Sequence, residues 1–341
     1  MFLTYGGYKM RDISKYTTDY KYSKPVLTGS GVEGTFDCQS VDIPFVFYHQ
    51  GKYHMLYSGF DGEGYQSALA TSDDLLNWTF KGMVLKRDED RTWDKVGGSV
   101  TWMIKESDNL HDMPTLKKVD GKYWCVYHAY PNTGYEEGPA EIGMAWCEDE
   151  NLLEWHRLEK PVYSWKEGDD WEKGGLYKAC IIKEGDMWYL FYNAKDTKTP
   201  WVEQIGVAYS KDLINWERGK ENPIMRVTKD NWDSRFVSDP YIVKDGDIWV
   251  NFYFGYGPGH AKEGIAFSKD LLHWEKHEEP LIDNGAEGSL DSRHAHKASV
   301  LYKDGILYHF YCAVRPYQEG DKTKIYDEFR TIALATSQPI E

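Results

Sequence analysis

The chain has little that would tie it to a membrane, a nucleic acid or a disulfide framework. No run of about 18 apolar residues occurs among its 341 residues, so no membrane-spanning helix is expected. Basic residues are in deficit: 40 Lys and Arg against 55 Asp and Glu leave a net charge of −15. Nucleic acid and anionic membranes both call for basic patches, and neither is an expected partner. The five cysteines, odd in number and scattered, make neither a disulfide framework nor a zinc spacing. The first ten residues, Met1 to Met10, show no charged stretch leading into an apolar one, so no secretory signal is read there. The simplest expectation is a cytoplasmic protein with reduced thiols, although a processed secreted form would read alike.

Aromatic residues, by contrast, are plentiful at 16%, with 14 Trp and 26 Tyr. They fall into a pattern that recurs five times. Each copy runs an apolar strand into a Gly turn and out along an aromatic strand. The turns are Gln50-Gly51, Asp120-Gly121, Glu184-Gly185, Asp245-Gly246 and Asp304-Gly305. The strands that follow contain Met55-Leu56-Tyr57, Cys125-Val126-Tyr127, Leu190-Phe191-Tyr192, Asn251-Phe252-Tyr253 and His309-Phe310-Tyr311. A third strand comes next, as in Ile205-Gly206-Val207-Ala208 or Gly264-Ile265-Ala266-Phe267. Repetition of β-hairpins at this length predicts an all-β propeller, in which each blade packs on its neighbours.

Four copies then carry a Leu-Leu-x-Trp or Leu-Ile-x-Trp element: Leu75 to Trp78, Leu152 to Trp155, Leu213 to Trp216 and Leu271 to Trp274. The acidic or amide residue before it should start a tight turn, and the Trp should open an outer fourth strand. The fifth copy stops at Ser337 without one. Its counterpart lies at the other end of the chain, where Lys24-Pro25-Val26-Leu27 resembles Lys160-Pro161-Val162-Tyr163 and Glu279-Pro280-Leu281-Ile282. The expected architecture is therefore one domain, residues 1–341. It has five four-stranded antiparallel blades, and the N-terminal strand at residues 24–30 completes the last blade and closes the ring.

Aligned copies act as a ruler for the inner strands, whose first residues reach one axial mouth. Nine residues before the turn Gly lie Asp42, Asp112, Leu176 and His296. A shorter fourth blade brings Asp239 to the same level. The 18-residue stretch from Asp94 to Asp112 is read as a long loop in which Trp102 walls the pocket. Ionisable groups gathered at one mouth are costly to leave unpaired. They are also what glycosidic bond cleavage uses, one group activating water or attacking carbon and another protonating the departing oxygen.

In these motifs the whole chain resembles the five-bladed propeller glycoside hydrolases of the furanosidase type, families 43, 32 and 117 among them. The resemblance rests on Val41-Asp42-Ile43-Pro44-Phe45, on the Leu-Leu-x-Trp elements and on inner-strand acids in several blades. It implies that Asp42 is base or nucleophile. The blade-three inner strand, Gly174-Gly175-Leu176-Tyr177-Lys178, lacks the Glu that serves families 43 and 32 as acid. Family 117 is the nearer pattern. It implies His296 as a His acid in the last blade, with Asp239 as modulator.

Around this trio, Asp112, Trp102, Tyr177, Lys178, Arg235, Arg293, His294 and Arg315 are candidate substrate-binding residues, and Tyr256 is a further stacking ring. The arginines either bind a sugar carboxylate or phosphate, or pair with the acids of this acidic protein. His294 and His296, two apart on a strand, share a face and offer a site for a divalent cation, but no third ligand has diagnostic spacing, so no cofactor is expected to be required. Glu136, Glu137 and Glu141 read as a solvated loop. The expected function is an exo-acting, inverting glycoside hydrolase that takes a terminal sugar from an oligosaccharide or glycan. A mannoside-phosphorylase-like enzyme and a non-catalytic carbohydrate-binding propeller are the alternatives, and homo-oligomerisation is left open.

Overall fold

The computed structural model describes residues 11–340 and contains no α-helix among them, only three short 3₁₀ turns. The segment Met1 to Met10 lies outside the described residues. Among the described residues, no helix is long and apolar enough to cross a membrane.

The strands group into five antiparallel units that follow one another along the sequence. The first consists of Ser40–His49, Lys52–Phe60, Tyr65–Ser72 and Thr79–Leu85. The second has Ser99–Met103, Lys122–Ala129, Glu141–Cys147 and His156–Arg157. The third is Gly175–Glu184, Met187–Lys195, Glu203–Ser210 and Glu217–Arg218. The fourth is Phe236–Asp245, Ile248–Tyr256, Ala261–Ser268 and Glu275–Lys276. The fifth has His294–Lys303, Ile306–Pro316 and Glu328–Thr336. Its outer partner comes from the front of the sequence. Tyr20 and Lys21 pair with Thr336 and Ala335, and the Val26 amide donates to the Ile332 carbonyl at 2.9 Å.

The first strand of each unit packs on that of the next, and the fifth packs on the first. Side chains stitch these seams. The Thr101 hydroxyl donates to the Ala179 carbonyl at 2.7 Å, and the Val46 amide donates to the Ser299 hydroxyl at 2.9 Å. Phe45, Trp102 and Tyr241, from three different units, meet in the central core, with the Trp102 ring 5.1 Å from Phe45 and 4.8 Å from Tyr241.

The Leu-x-x-Trp elements behave as read. In each, the indole N–H donates back to the carbonyl of the Leu three residues earlier, at 2.7–3.0 Å. The Asp74 carboxylate accepts from the Leu76 and Asn77 amides, and Asp212 and Asp270 repeat the motif. The outer strand opens directly after the Trp.

Two expectations on register fail. Residues 99–103, read as part of a loop, are the inner strand of unit two, and Trp102 is buried there in the core rather than on a pocket wall. The backbone then makes an excursion over residues 104–117 before the hairpin resumes at Lys118. Asp112 sits in this excursion, which bonds to Lys244 near the far end of the unit-four inner strand. It is exposed and lies at the end of the molecule opposite Asp239. The second failure is a slip of one residue. Asp42 and His296 are level with Ser238, and Asp239 is level with Ile43 and Lys297. The turns explain it. In units one and five both central turn residues have positive φ and Gly comes second; in unit four Gly246 comes first, followed by Asp247. The two hairpin classes place their Gly at different central positions, so a ruler anchored on Gly shifts by one.

Candidate active site

Each of four inner strands carries a β-bulge near its start, after Asp42, Leu176, Ser238 and His296. A bulge inserts one unpaired residue and re-aims its side chain. Here the inserted residues include Ile43, Asp239 and Lys297, all at positive φ (51°, 54° and 67°). Bulky residues rarely take this conformation, and where they do it is held by the surroundings. Ile43, Asp239 and Lys297 line one cavity of about 190 Å³, together with Tyr177 and Lys178 from the unit-three bulge.

The third strand of each unit begins at the same end as the first, because the hairpins are antiparallel. Its start supplies a second tier. Counting three residues back from the small residue opposite the repeated Tyr of the second strand gives Tyr65, Ala140, Glu203, Ala261 and Arg330. Tyr65, Glu203, Ala261 and Arg330 all line the cavity. Glu203 and Arg330 are functional candidates that the inner-strand ruler misses. The signal is present in the repeat itself: at a position otherwise Tyr or Ala, one copy has Glu and another Arg.

Glu203 is the most elaborately held acid. It accepts from Ser238 Oγ at 2.8 Å, from Trp201 Nε1 at 3.1 Å and from Asn193 Nδ2 at 3.2 Å. Burial pushes its pKa up, while the Ser238 and Trp201 bonds oppose the rise. Asp239, next to Ser238, is 4% exposed and accepts no hydrogen bond among the described residues. Burial pushes its pKa up to about 7, against the pull of Lys178 and Lys297 and helped by Glu203 and Asp42.

Asp42 has a different setting. It is fully buried behind the cavity wall, its Oδ2 2.7 Å from Lys297 Nζ and 3.8 Å from Arg330 Nη1. Against the cost of burial, the charges of Lys297 and Arg330, with the His296 ring beside them, hold its carboxyl well below the usual range. His296 does line the cavity. Its Nδ1 lies 3.0 Å from the Cys312 carbonyl. A carbonyl can only accept, so the proton resides on Nδ1 and Nε2 is the acceptor. Burial, then the charge of Lys297, holds the ring well below its ordinary pKa. A neutral ring of this tautomer carries no proton on Nε2.

Of the other expected residues, Tyr177, Lys178, His294 and Tyr256 line the cavity. Lys178 is 2% exposed, and its Nζ has no hydrogen-bond partner among the described residues. Arg235 lies at the rim, its guanidinium over the Trp201, Phe236 and Tyr256 rings. Arg293 and Arg315 are withdrawn into acid pairs, Arg293 with Asp327 and Glu328 at 3.1 Å and Arg315 with Asp321 at 2.5 Å. Glu136, read as a solvated loop residue, lines the cavity, and Glu141 is buried and paired with Lys166 at 3.1 Å. The His294 Nδ1 accepts from the Ala261 amide at 3.0 Å. Among the described residues, no group of three His, Cys, Asp or Glu side chains is placed to hold a metal ion.

Comparison with known proteins gives this geometry a family. The solved complex of BT0996 with RGII superposes with a TM-score of 0.80 and 31% identity, over 96% of this protein and 94% of that one. A second solved structure, described as "Glycoside hydrolase", gives 0.78 and 30% over 95% and 93%. A family 117 glycoside hydrolase from the marine bacterium Zobellia galactanivorans shares the fold at 0.65 with 14% identity, over 95% of this protein and 91% of its own length. Among curated proteins, the β-1,2-mannobiose phosphorylase of Thermoanaerobacter sp. (strain X514) is 28% identical over 162 residues, 42% of this protein and 51% of its own length. The match spans about half the length of the curated relatives. The family model "Glycosyl hydrolases family 32 N-terminal domain" matches residues 105–291, more than half of the 341 residues. On that match, and with solved glycoside hydrolases superposing over nearly the whole length, the protein belongs to this glycosyl hydrolase family.

Proposed function

We propose that the protein is a five-bladed propeller, closed by its N-terminal segment, that hydrolyses the glycosidic bond of a terminal sugar seated in the cavity. The observation that carries this reading is the contrast between Asp239 and Glu203 across the seam of units three and four. Asp239 is buried without a donor and holds its proton up to about 7, which suits a general acid. Glu203 accepts three hydrogen bonds, all of which favour its anion. Asp239 gives its proton to the glycosidic oxygen as the bond to the anomeric carbon breaks. Glu203 serves that carbon, and its separation from Asp239 in the complex sets whether it attacks or activates water.

The surrounding groups bind and orient. His296 Nε2 accepts from a sugar hydroxyl, and Lys297 and Arg330 donate to others. Asp42 keeps Lys297 in place rather than touching substrate. At about 190 Å³ the cavity is smaller than the roughly 300 Å³ at which small-molecule pockets usually begin, which leaves room for the end of a glycan rather than a through-running strand and hence suits exo action. The neighbour solved as an RGII complex supports RGII or a related glycan as substrate. The test is a screen of aryl glycosides and oligosaccharides with the wild type, Asp239→Asn and Glu203→Gln. Wild-type turnover in either variant would remove the assignment.

Phosphorolysis is a second reading, favoured by four cations on the cavity wall, Lys178, Lys195, Lys297 and Arg330, and by the curated phosphorylase relatives. It predicts turnover that depends on phosphate and releases a sugar 1-phosphate; hydrolysis predicts neither.

A further inference from the structure

The cavity opens onto a shelf of stacked rings. Trp201 and Phe236 lie 6.0 Å apart at 21°, and Phe236 and Tyr256 lie 5.0 Å apart at 27°. Trp201 is 41% exposed, unusual for a ring this large in a fold that buries most of its aromatics. Two cations rest on this shelf. The Arg235 guanidinium is 5.2, 5.1 and 5.6 Å from the Trp201, Phe236 and Tyr256 ring centres. Lys195 Nζ is 5.0 Å from the Tyr177 ring and 5.4 Å from that of Trp201.

These two cations differ from the others around the cavity. Lys297 is matched by Asp42 at 2.7 Å and Arg330 by Glu328 at 2.9 Å. Lys178 lies deeper, where the carboxyls of Asp239 and Glu263 face it. Neither Arg235 nor Lys195 forms a salt bridge among the described residues. Arg235 donates only to the Trp201 carbonyl at 3.3 Å, and its Nε is buried without a partner. Acids outnumber bases 55 to 40 in this sequence. Lys195 lies opposite Glu203 in the strand pair and its charge acts on that carboxyl without a close ion pair, while Arg235 has an unused donor; together they mark a place where an anion can come from elsewhere. The aromatic face below them fits the apolar face of a sugar ring, and a guanidinium fork fits a carboxylate.

We propose that this shelf is a second sugar site, on the leaving-group side of the cavity, that selects a uronic acid. The sugar ring stacks on the exposed Trp201, and its carboxylate is held by Arg235 and Lys195. The inference rests on the hydrolase reading for the word leaving-group, but not for the site itself. Trp201 also joins the shelf to the chemistry, because its indole N–H donates to Glu203 Oε1 at 3.1 Å.

The test is calorimetric titration of the full-length protein with the methyl glycosides of glucuronic and galacturonic acid, each against its neutral counterpart. The wild type should bind at least one uronide about tenfold more tightly than the neutral sugar, the scale of one charge-assisted hydrogen bond, and the preference should shrink at high salt. Arg235→Met and Lys195→Met should each reduce the preference and together abolish it. Trp201→Ala should weaken uronide and neutral sugar alike. Equal binding of uronides and neutral sugars by the wild type, or a preference that survives the Arg235→Met/Lys195→Met double variant, overturns the proposal. Aryl glycoside turnover reports on the hydrolase reading separately: a protein that prefers uronides yet cleaves nothing keeps the shelf and loses the hydrolysis.

Discussion

Lys297 Nζ stands 2.7 Å from the carboxylate of Asp42, joining the start of the unit-five inner strand to the start of that in unit one. Both groups are removed from water, and each holds the other charged. Burial disfavours charge on both, yet the Asp42 pKa lies below its usual range and that of Lys297 above, because each has the other as its counterion. An acid so engaged is a weaker base, which is why the proposed reading gives Asp42 the part of a support for Lys297.

Breaking this pair should be expensive. Asp42→Asn leaves Lys297 buried without its counterion and is expected to cost about 3–5 kcal/mol. Lys297→Met in the same background should recover part of the loss, since replacing both charges by neutral groups removes the uncompensated one. Urea denaturation of the two single variants and the double variant checks this. A pair worth nothing would show additive costs.

The same pair has a pH signature of fixed sign. The folded Asp42 pKa lies below the unfolded value of about 3.9, so its contribution is present above that value and is lost as pH falls further. The folded Lys297 pKa lies above the unfolded value of about 10.4, so its contribution is present below that and is lost as pH rises beyond it. Asp239 acts in the opposite sense to Asp42. Its folded pKa of about 7 exceeds the unfolded value of about 3.9, so its own contribution to stability is lost as pH rises from about 4 to about 7. Asp239→Asn removes this contribution, so its denaturation midpoint should fall less, or rise more, across this range than that of the wild type. An unchanged slope in the variant would show that Asp239 is not the buried acid.

Turnover should follow the same group. If Asp239 supplies the proton, activity on a poor leaving group falls as pH rises through about 7. Asp239→Asn should lose about 10²–10⁴ in kcat on such a substrate, the usual worth of acid catalysis, and much less on a dinitrophenyl glycoside that needs no proton. Equal losses on both substrates would make Asp239 a binding residue.

Much of this is legible in the sequence, and the misreadings have physical causes. Strand, turn and Trp elements repeat because each unit solves the same packing problem, so copies such as Asp212 to Trp216 and Asp270 to Trp274 can be laid over one another. The site resists such alignment because function sits where the copies differ. Asp239 falls one place off because Gly246 occupies a different turn position from Gly51. Trp102 and Asp112 are misplaced because an excursion at 104–117 interrupts the inner strand, and the hairpin turn no longer measures its length. Glu203 escapes a ruler laid along first strands, although third strands begin at the same end. Lys297 is hidden between His296 and Ala298 because alternation along a strand points it away from its neighbours, whereas the bulge turns it inward.

Ser238 offers the most discriminating single change. Its hydroxyl donates to Glu203 Oε2 at 2.8 Å, and its neighbour is Asp239. Ser238→Ala removes one of three bonds that favour the Glu203 anion while leaving both carboxyls in place. Losing that donor should raise the Glu203 pKa and move the acidic limb of the activity profile to higher pH. The basic limb set by Asp239 should stay near 7, so the profile narrows from its acid side alone. A net hydrogen bond to a charged group is worth about 1.5–3 kcal/mol, and a loss of about tenfold or more in kcat/KM is expected at about pH 6. Stability should fall by a similar amount where Glu203 is ionised and by less where it is protonated, since the lost donor favours the anion. A profile that shifts on its basic limb instead would exchange the roles of Glu203 and Asp239.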